Sequence, residues 1–360
     1  MPAARVRQYL RMEPVPTRAR WIPTLPKAHL HVHFTGSMRH TTLVELARRH
    51  NVHLPEALVD EWPPRLRATD ERGWFRFQRL YDIARSVLRD EQDVRRLVRE
   101  TAEDEATEGS GWLEIQVDPS GYGARFGGLT AFTELVMDAA RDAAEASGVG
   151  IGVIIAANRT RHPLDARTLA RLAVQYSGRG VVGFGLSNDE RRGRAYDFDA
   201  AFRIAKRGGL LSDPHGGELL GPASVRACLD ALGADRIGHG VRAADDPALL
   251  DTLAARGVTL EVCPASNVAL GVFTVPEDVP VRRIFEAGVP IALGADDPLL
   301  FGSRLTRQYE LAREVHGFDD AELAELARYS IRGSAAPADL QKHLLDEVDT
   351  WLRTPAPKAG

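Results

Sequence analysis

The sequence predicts an α/β fold: a closed (β/α)8 TIM barrel with extra helices inserted after its first strand. Three observations carry this. Eight short apolar runs recur along the 360 residues. Longer segments of 3.6-residue period separate them, which is the βα pattern. No linker composition divides the chain, and eight units in a row favour a closed barrel over an open sheet. The apolar content of 44% suffices for such a core.

The strands are expected at 28–33, 112–118, 149–156, 180–186, 209–213, 235–239, 258–263 and 289–295. The fifth is read short, because Pro214 cannot donate to a ladder. Helices are expected at 130–147, 164–176, 198–207, 222–232, 246–255 and 304–316. Residues 34–111 exceed what one βα unit needs. Within them, WFRFQRLYDIARSVL (74–88) puts Phe77, Leu80, Tyr81, Ala84 and Leu88 on one helical face. An insertion after a strand's C-terminal end hangs over the barrel mouth, as an extra packed helix or as a hydrophobic lid. Residues 1–24 read as an N-terminal extension, 25–353 as a single domain and 354–360 as a disordered tail.

Composition excludes several classes. With 46 basic and 50 acidic residues the net charge is -4, which offers no field for nucleic acid. Two cysteines, Cys228 and Cys263, allow neither a disulfide framework nor a thiolate zinc cluster. Any zinc must therefore take His and carboxylate ligands. No secretory signal or membrane-length run is visible, so a cytoplasmic protein without membrane contact is expected. Oligomeric state is not legible.

Four segments at strand ends carry ligand-type residues. In HLHVHFTG (29–36), strand residues two apart share a face, so His31 and His33 point together. Two imidazoles on one strand are preorganised for zinc. His29 continues the alternation and leaves the register open; His31 and His33 lie nearer the strand end, where barrel sites form. DPHGGE (213–218) places Glu218 three residues after His215, close enough to a metal to move protons without binding it. IGHG (237–240) puts His239 at the end of strand six. GADDPLLFGS (294–303) ends strand eight in Asp296 and Asp297, one free to ligate and one to meet a substrate. Asp297 before Pro298 also reads as a helix N-cap. Each segment alone is as well explained by packing or chance. Together they converge on one barrel mouth.

At these residues the sequence resembles the adenosine deaminase family of the amidohydrolase superfamily, including its aminodeoxyfutalosine deaminase-like members. The matching motifs are LPKAHLHVHFTGSMR (25–39), HGGE (215–218), GHG (238–240), EVCPASN (261–267) and ADDPLLF (295–301), in family order. The resemblance implies hydrolytic deamination of an aminopurine nucleoside at C6, with one zinc ion per chain. It assigns His31, His33, His215 and Asp296 as zinc ligands and Glu218 as proton shuttle. It gives His239 to the attacking water and Asp297 to the purine. Ser266 is implied to line or support the site.

Four positions in three segments depart from the family pattern. Thr35 stands where the resemblance expects an aspartate for a ribose hydroxyl. In GFGLSNDE (183–190), Gly185 replaces a frequent Asp and Asn188 a usual Gly that contacts the purine. Gln116 replaces a usual Arg. All four are expected near the mouth and away from the zinc ligands, which points to preserved chemistry with altered recognition. The substrates this leaves are a 5′-modified nucleoside such as aminodeoxyfutalosine, or free adenine. A two-metal amidohydrolase is a rival, but strand four carries no lysine to bridge metals. A non-catalytic nucleoside-binding barrel is a second rival, disfavoured because no ligand or shuttle residue has been lost.

Overall fold

A computed structural model describes residues 19–355. Residues 1–18 of the expected extension and 356–360 of the expected tail lie outside the described residues. Eight parallel strands follow chain order around one sheet. They are β1 (Lys27–His33), β2 (Ser110–Val117), β3 (Gly150–Asn158), β4 (Val181–Ser187), β5 (Leu211–Gly216), β6 (Arg236–His239), β7 (Thr259–Val262) and β8 (Ile291–Leu293). The circle closes just past β8. His33 N donates to Asp296 O at 2.9 Å, and Asp296 N donates to His31 O at 3.0 Å. The (β/α)8 barrel expected from the alternating pattern is therefore present.

The fifth strand corrects the expectation. It runs through Pro214 to Gly216, and Pro214 pairs with Leu186. A proline removes one N–H from a ladder, and the flanking pairs Gly185–Asp213 and His215–Gly238 hold the strand on both sides. The consequence is functional: His215 stands on a strand rather than on a loop.

β1 hides a second irregularity. Between His29 and Val32 it takes three steps while β2 takes two, from Leu113 to Ile115. This bulge breaks the two-residue alternation. His29 turns to Glu105, with Nδ1 2.8 Å from its Oε1, and its Nε2 accepts from Ala295 N at 3.0 Å. It is thereby separated from His31 and His33 and belongs to the helix layer.

The insertion after β1 forms α1 (His40–Arg49) and α2 (Glu71–Ser86), and α3 (Glu91–Thr107) then leads into β2. Asp70 caps α2 by accepting from Gly73 N at 2.6 Å. Asp90 and Asp93 form a capping box on α3, which accounts for their cluster with His50.

The barrel interior is not wholly apolar. Arg236, 2% exposed, reaches Glu114 at 2.5 Å, Glu261 at 2.7 Å and Asp213 at 3.5 Å. Burial pushes Asp213 up to about 8, reinforced by the charge of Glu261. This knot sits directly beneath the ligand-type residues, because Glu261 also bonds His31.

Candidate active site

The strand ends bring five of the expected residues into one cluster. His31 and His33 come from β1, His215 from β5, His239 from β6, and Asp296 from the loop after β8. Ring centroids of His31 lie 4.8 Å from both His215 and His239, and 5.3 Å from His33. One nitrogen each of His31, His33 and His215 falls within a 4.8 Å group. Asp296 Oδ1 lies 3.2 Å from His33 Nε2 and 3.8 Å from His31 Nε2.

This donor set fits a divalent metal. His31 Nε2 is buried without a hydrogen-bond partner, while its Nδ1 is held by Glu261 Oε2 at 2.8 Å. That arrangement leaves Nε2 free to bind. Ser266 Oγ donates to Asp296 Oδ2 at 2.5 Å and leaves the other oxygen facing the histidines. Ser266 therefore holds the candidate ligand Asp296 and is not among the residues that line the cavity. Burial lowers His31 to about 4, so it stands neutral and able to ligate. His33 runs the other way. Burial opposes its charge, but the hydrogen bond to Asp296 and the charges of Asp297 and Asp296 raise it to about 9 in the metal-free protein.

Gly238 permits the crowding. A Cβ there would stand 2.7 Å from His215 Cδ2 and 2.8 Å from His31 Cε1. Three of the four non-glycine residues with positive φ among the described residues lie here: Asn188 (82°), His239 (63°) and Asp296 (62°). Such backbone strain persists where surrounding structure enforces it.

Glu218 stands beside this cluster, grouped with His239 and Asp296 within 4.8 Å. Its Oε2 lies 3.7 Å from His239 Nε2, and its Oε1 is buried without a partner. Burial, then the charges of Asp296 and Glu190, raises its carboxyl well above the usual range. A carboxyl so placed holds a proton ready to give. Asp297 stands at an N-cap but makes no capping bond; its Oδ1 is buried and unpartnered. Gly36 makes this possible, since a Cβ there would lie 1.8 Å from that oxygen. Burial and the neighbouring Asp296 charge push Asp297 up to about 8.

The cavity over the cluster is lined by His33, Gln116, His215, Glu218, His239 and Asp297 below, and by α2 above. The roof face of α2 is Trp74, Phe77, Gln78, Tyr81 and Arg85. Of the stripe expected there, Phe77 and Tyr81 face the cavity, while Ala84 and Leu88 are buried in the core. Asn188 pins the roof: its Oδ1 accepts from Trp74 Nε1 at 3.2 Å, and its Nδ2 donates to Gln78 Oε1 at 3.1 Å.

Other expected recognition residues fall elsewhere. Thr35 is fully buried behind the cavity wall, its hydroxyl bonded to that of Tyr122. Gly185 lies within the β4 ladder opposite Asp213 and Ala156, and is not part of the cavity wall. Gln116 corrects the expectation that the departures avoid the ligand set, because its Oε1 lies 3.1 Å from His215 Nε2. Two participants were missed. Tyr122, 89 residues downstream of His33, carries no motif. Cys263 brings its sulfur within 4.8 Å of His31 and His239, and burial, then the Asp296 charge, keeps its thiol protonated.

The adenosine deaminase family model matches residues 26–351. A Streptomyces coelicolor protein provisionally named adenosine/adenine deaminase is 68% identical over 93% of this chain and 99% of its own length. An adenine deaminase of Rhizobium leguminosarum bv. trifolii is 36% identical over 89% and 98% of the two chains. An aminodeoxyfutalosine deaminase of Streptomyces coelicolor is also 36% identical, over 92% and 85%. Among solved structures, the adenine deaminase of Arthrobacter aurescens superimposes with a TM-score of 0.84, at 29% identity, covering 91% of this chain and 99% of that one. No helix among the described residues is long and apolar enough to cross a membrane. Members of the matched family are metal-dependent, and the histidine and aspartate cluster at the strand ends is this chain's candidate metal site. The chain belongs to the adenosine deaminase family, hydrolases that act on the C–N bond of adenine-type substrates.

Proposed function

We propose that this chain is a zinc-dependent adenine deaminase, converting free adenine and water to hypoxanthine and ammonia. The observation that carries the free-base reading is the Thr35–Tyr122 hydroxyl pair. Where the family resemblance expects a carboxylate for a ribose hydroxyl, this chain has a neutral side chain already engaged by its neighbour. The aromatic roof of Trp74, Phe77 and Tyr81 offers a flat apolar lining for a purine. The adenine deaminases among the relatives support the same reading.

His31, His33, His215 and Asp296 would hold the ion, and only His and carboxylate donors are present in that set. A bound zinc supplies an activated water at neutral pH. Glu218 gives its proton to a ring nitrogen, which makes C6 accept the water oxygen. His239, 3.7 Å from Glu218, holds the attacking water toward C6. As the C6–O bond forms, the Glu218 carboxylate takes one proton of the water and passes it to the amine, which leaves as ammonia when the C6–N bond breaks; the remaining hydroxyl proton returns to Glu218 and leaves a carbonyl at C6. Asp297, kept protonated in the neutral range by burial, donates to a purine nitrogen and fixes which carbon faces the water.

The test is a kinetic panel of adenine, adenosine, 2′-deoxyadenosine and a 5′-modified adenosine, followed by ultraviolet absorbance. Adenine is expected to exceed each nucleoside in kcat/KM by about 10–100-fold, the worth of one lost charged hydrogen bond. Preference for any nucleoside contradicts the free-base reading.

A further inference from the structure

Glu190 lies on the loop after β4, two residues beyond Asn188. It is 5% exposed and remote in sequence from every motif residue of β5. Its Oε2 accepts from the backbone N–H groups of Glu218 (3.1 Å), Leu219 (2.7 Å) and Leu220 (2.9 Å). Its Oε1 accepts from Gly217 N at 2.5 Å and from the Ser224 hydroxyl. The turn 217–220 is thus wrapped around one carboxylate, and Glu218 projects from the middle of that turn. No other side chain bonds these four N–H groups among the described residues.

Buried N–H groups need acceptors, and an orphaned one is destabilising. Here the acceptor also fixes geometry. Gly217 sits at φ 69°, and a Cβ there would meet Val225 Cγ2 at 2.3 Å, so the turn has little freedom on its other side. The Glu218 Oε1 is buried without a hydrogen-bond partner, and its Oε2 lies 3.7 Å from His239 Nε2, too far for a hydrogen bond that would orient it. Its position is inherited from its backbone, and its backbone is held by Glu190.

We infer that Glu190 is a positioning residue for the proton shuttle, holding the Glu218 turn at the distance from His239 and Asp296 that proton transfer requires. The inference rests on Glu218 being the shuttle. Glutamine at 190 is nearly isosteric but turns an N–H2 toward a set of N–H donors, so the turn must shift.

The experiment measures kcat, KM and bound metal for Glu190→Gln, Glu218→Gln and the double variant, with adenine and adenosine as substrates. Glu190→Gln is expected to lower kcat per metal-loaded chain by about 10–100-fold, the usual effect of displacing a supporting group, with KM and metal content close to wild type. In the Glu218→Gln background it is expected to have no further effect, because its action passes through the missing carboxyl. Ser224→Ala, which leaves the four N–H bonds in place, is expected to lower kcat by about 2–10-fold, one hydrogen bond's worth. A merely structural Glu190 would lower the melting temperature or the metal-loaded fraction while leaving kcat per loaded chain unchanged. That result, or losses that multiply in the double variant, overturns the inference. Full activity in Glu218→Gln would instead remove the shuttle assignment itself.

Discussion

The floor of the cavity comes from strand ends, whereas its roof comes from an inserted helix and the loops that meet it. On the floor, His31, His33, His215 and His239 stand on paired strands, and the barrel closes through backbone bonds at His31, His33 and Asp296. Beneath them Glu261 and Arg236 continue the polar contacts into the barrel. On the roof, α2 meets the β4 loop through single side-chain bonds. Asn188 reaches Trp74 and Gln78, and Arg191 reaches Thr69 O at 2.6 Å. A floor of this kind suits chemistry, which demands fixed geometry. A roof of this kind can change its lining without disturbing the ligands, and it can therefore change the substrate.

Substitutions can break that division at either end. The largest effect is expected on the floor. Asp296→Ala removes a proposed ligand and the partner of both His33 and Ser266. Metal content should fall from about one ion per chain to a small fraction. Activity should fall on the order of 10³-fold or more, since a catalytic metal supplies several kcal/mol. Near-normal activity with no bound metal would sever the floor from the chemistry.

Arg236→Met tests the support below. It strands Glu114, Asp213 and Glu261 in a buried site, and removing one partner of a buried ion pair costs about 3–5 kcal/mol. Urea unfolding should register this loss; a midpoint within error of wild type would show that the carboxylates do not need the guanidinium.

The smallest effect is expected from Asn188→Gly on the roof. Two side-chain bonds to α2, of about 0.5–1.5 kcal/mol each, and a local one from Asp189 N are lost, while a positive φ becomes easier. Global stability should change by no more than about 1–2 kcal/mol. Amide exchange in α2 should quicken while exchange in β1 and β5 stays unchanged. Equal quickening in the strands would mean that roof and floor open as one unit.

The contrast also explains what the sequence made legible. Metal chemistry restricts residue types, so His31, His33, His215, His239 and Asp296 could be read as ligand-type residues at strand ends. The bulge that separates His29 from them could not, because the residue pattern of β1 alternates regularly through it. Pro214 misled about the length of β5, since local rules do not see the neighbouring strands that hold it. Recognition was less legible still. Thr35 and Gln116 were visible as departures, yet their partners Tyr122 and His215 lie 87 and 99 positions away. Gly185 was expected in the cavity and lies in a ladder instead. Glu190 carries no motif of its own, and only the fold brings the 217–220 turn onto it.

The free-base reading is tested most directly by Thr35→Asp, assayed as the ratio of kcat/KM for adenine to that for adenosine. Aspartate restores the charged acceptor that the family pattern provides for a ribose hydroxyl. A charged hydrogen bond is worth about 1.5–3 kcal/mol, so the ratio should move toward adenosine by on the order of 10–100-fold, with metal content unchanged. If both substrates lose activity in equal proportion and the ratio stays fixed, the residue at position 35 does not select the substrate and the free-base account is contradicted.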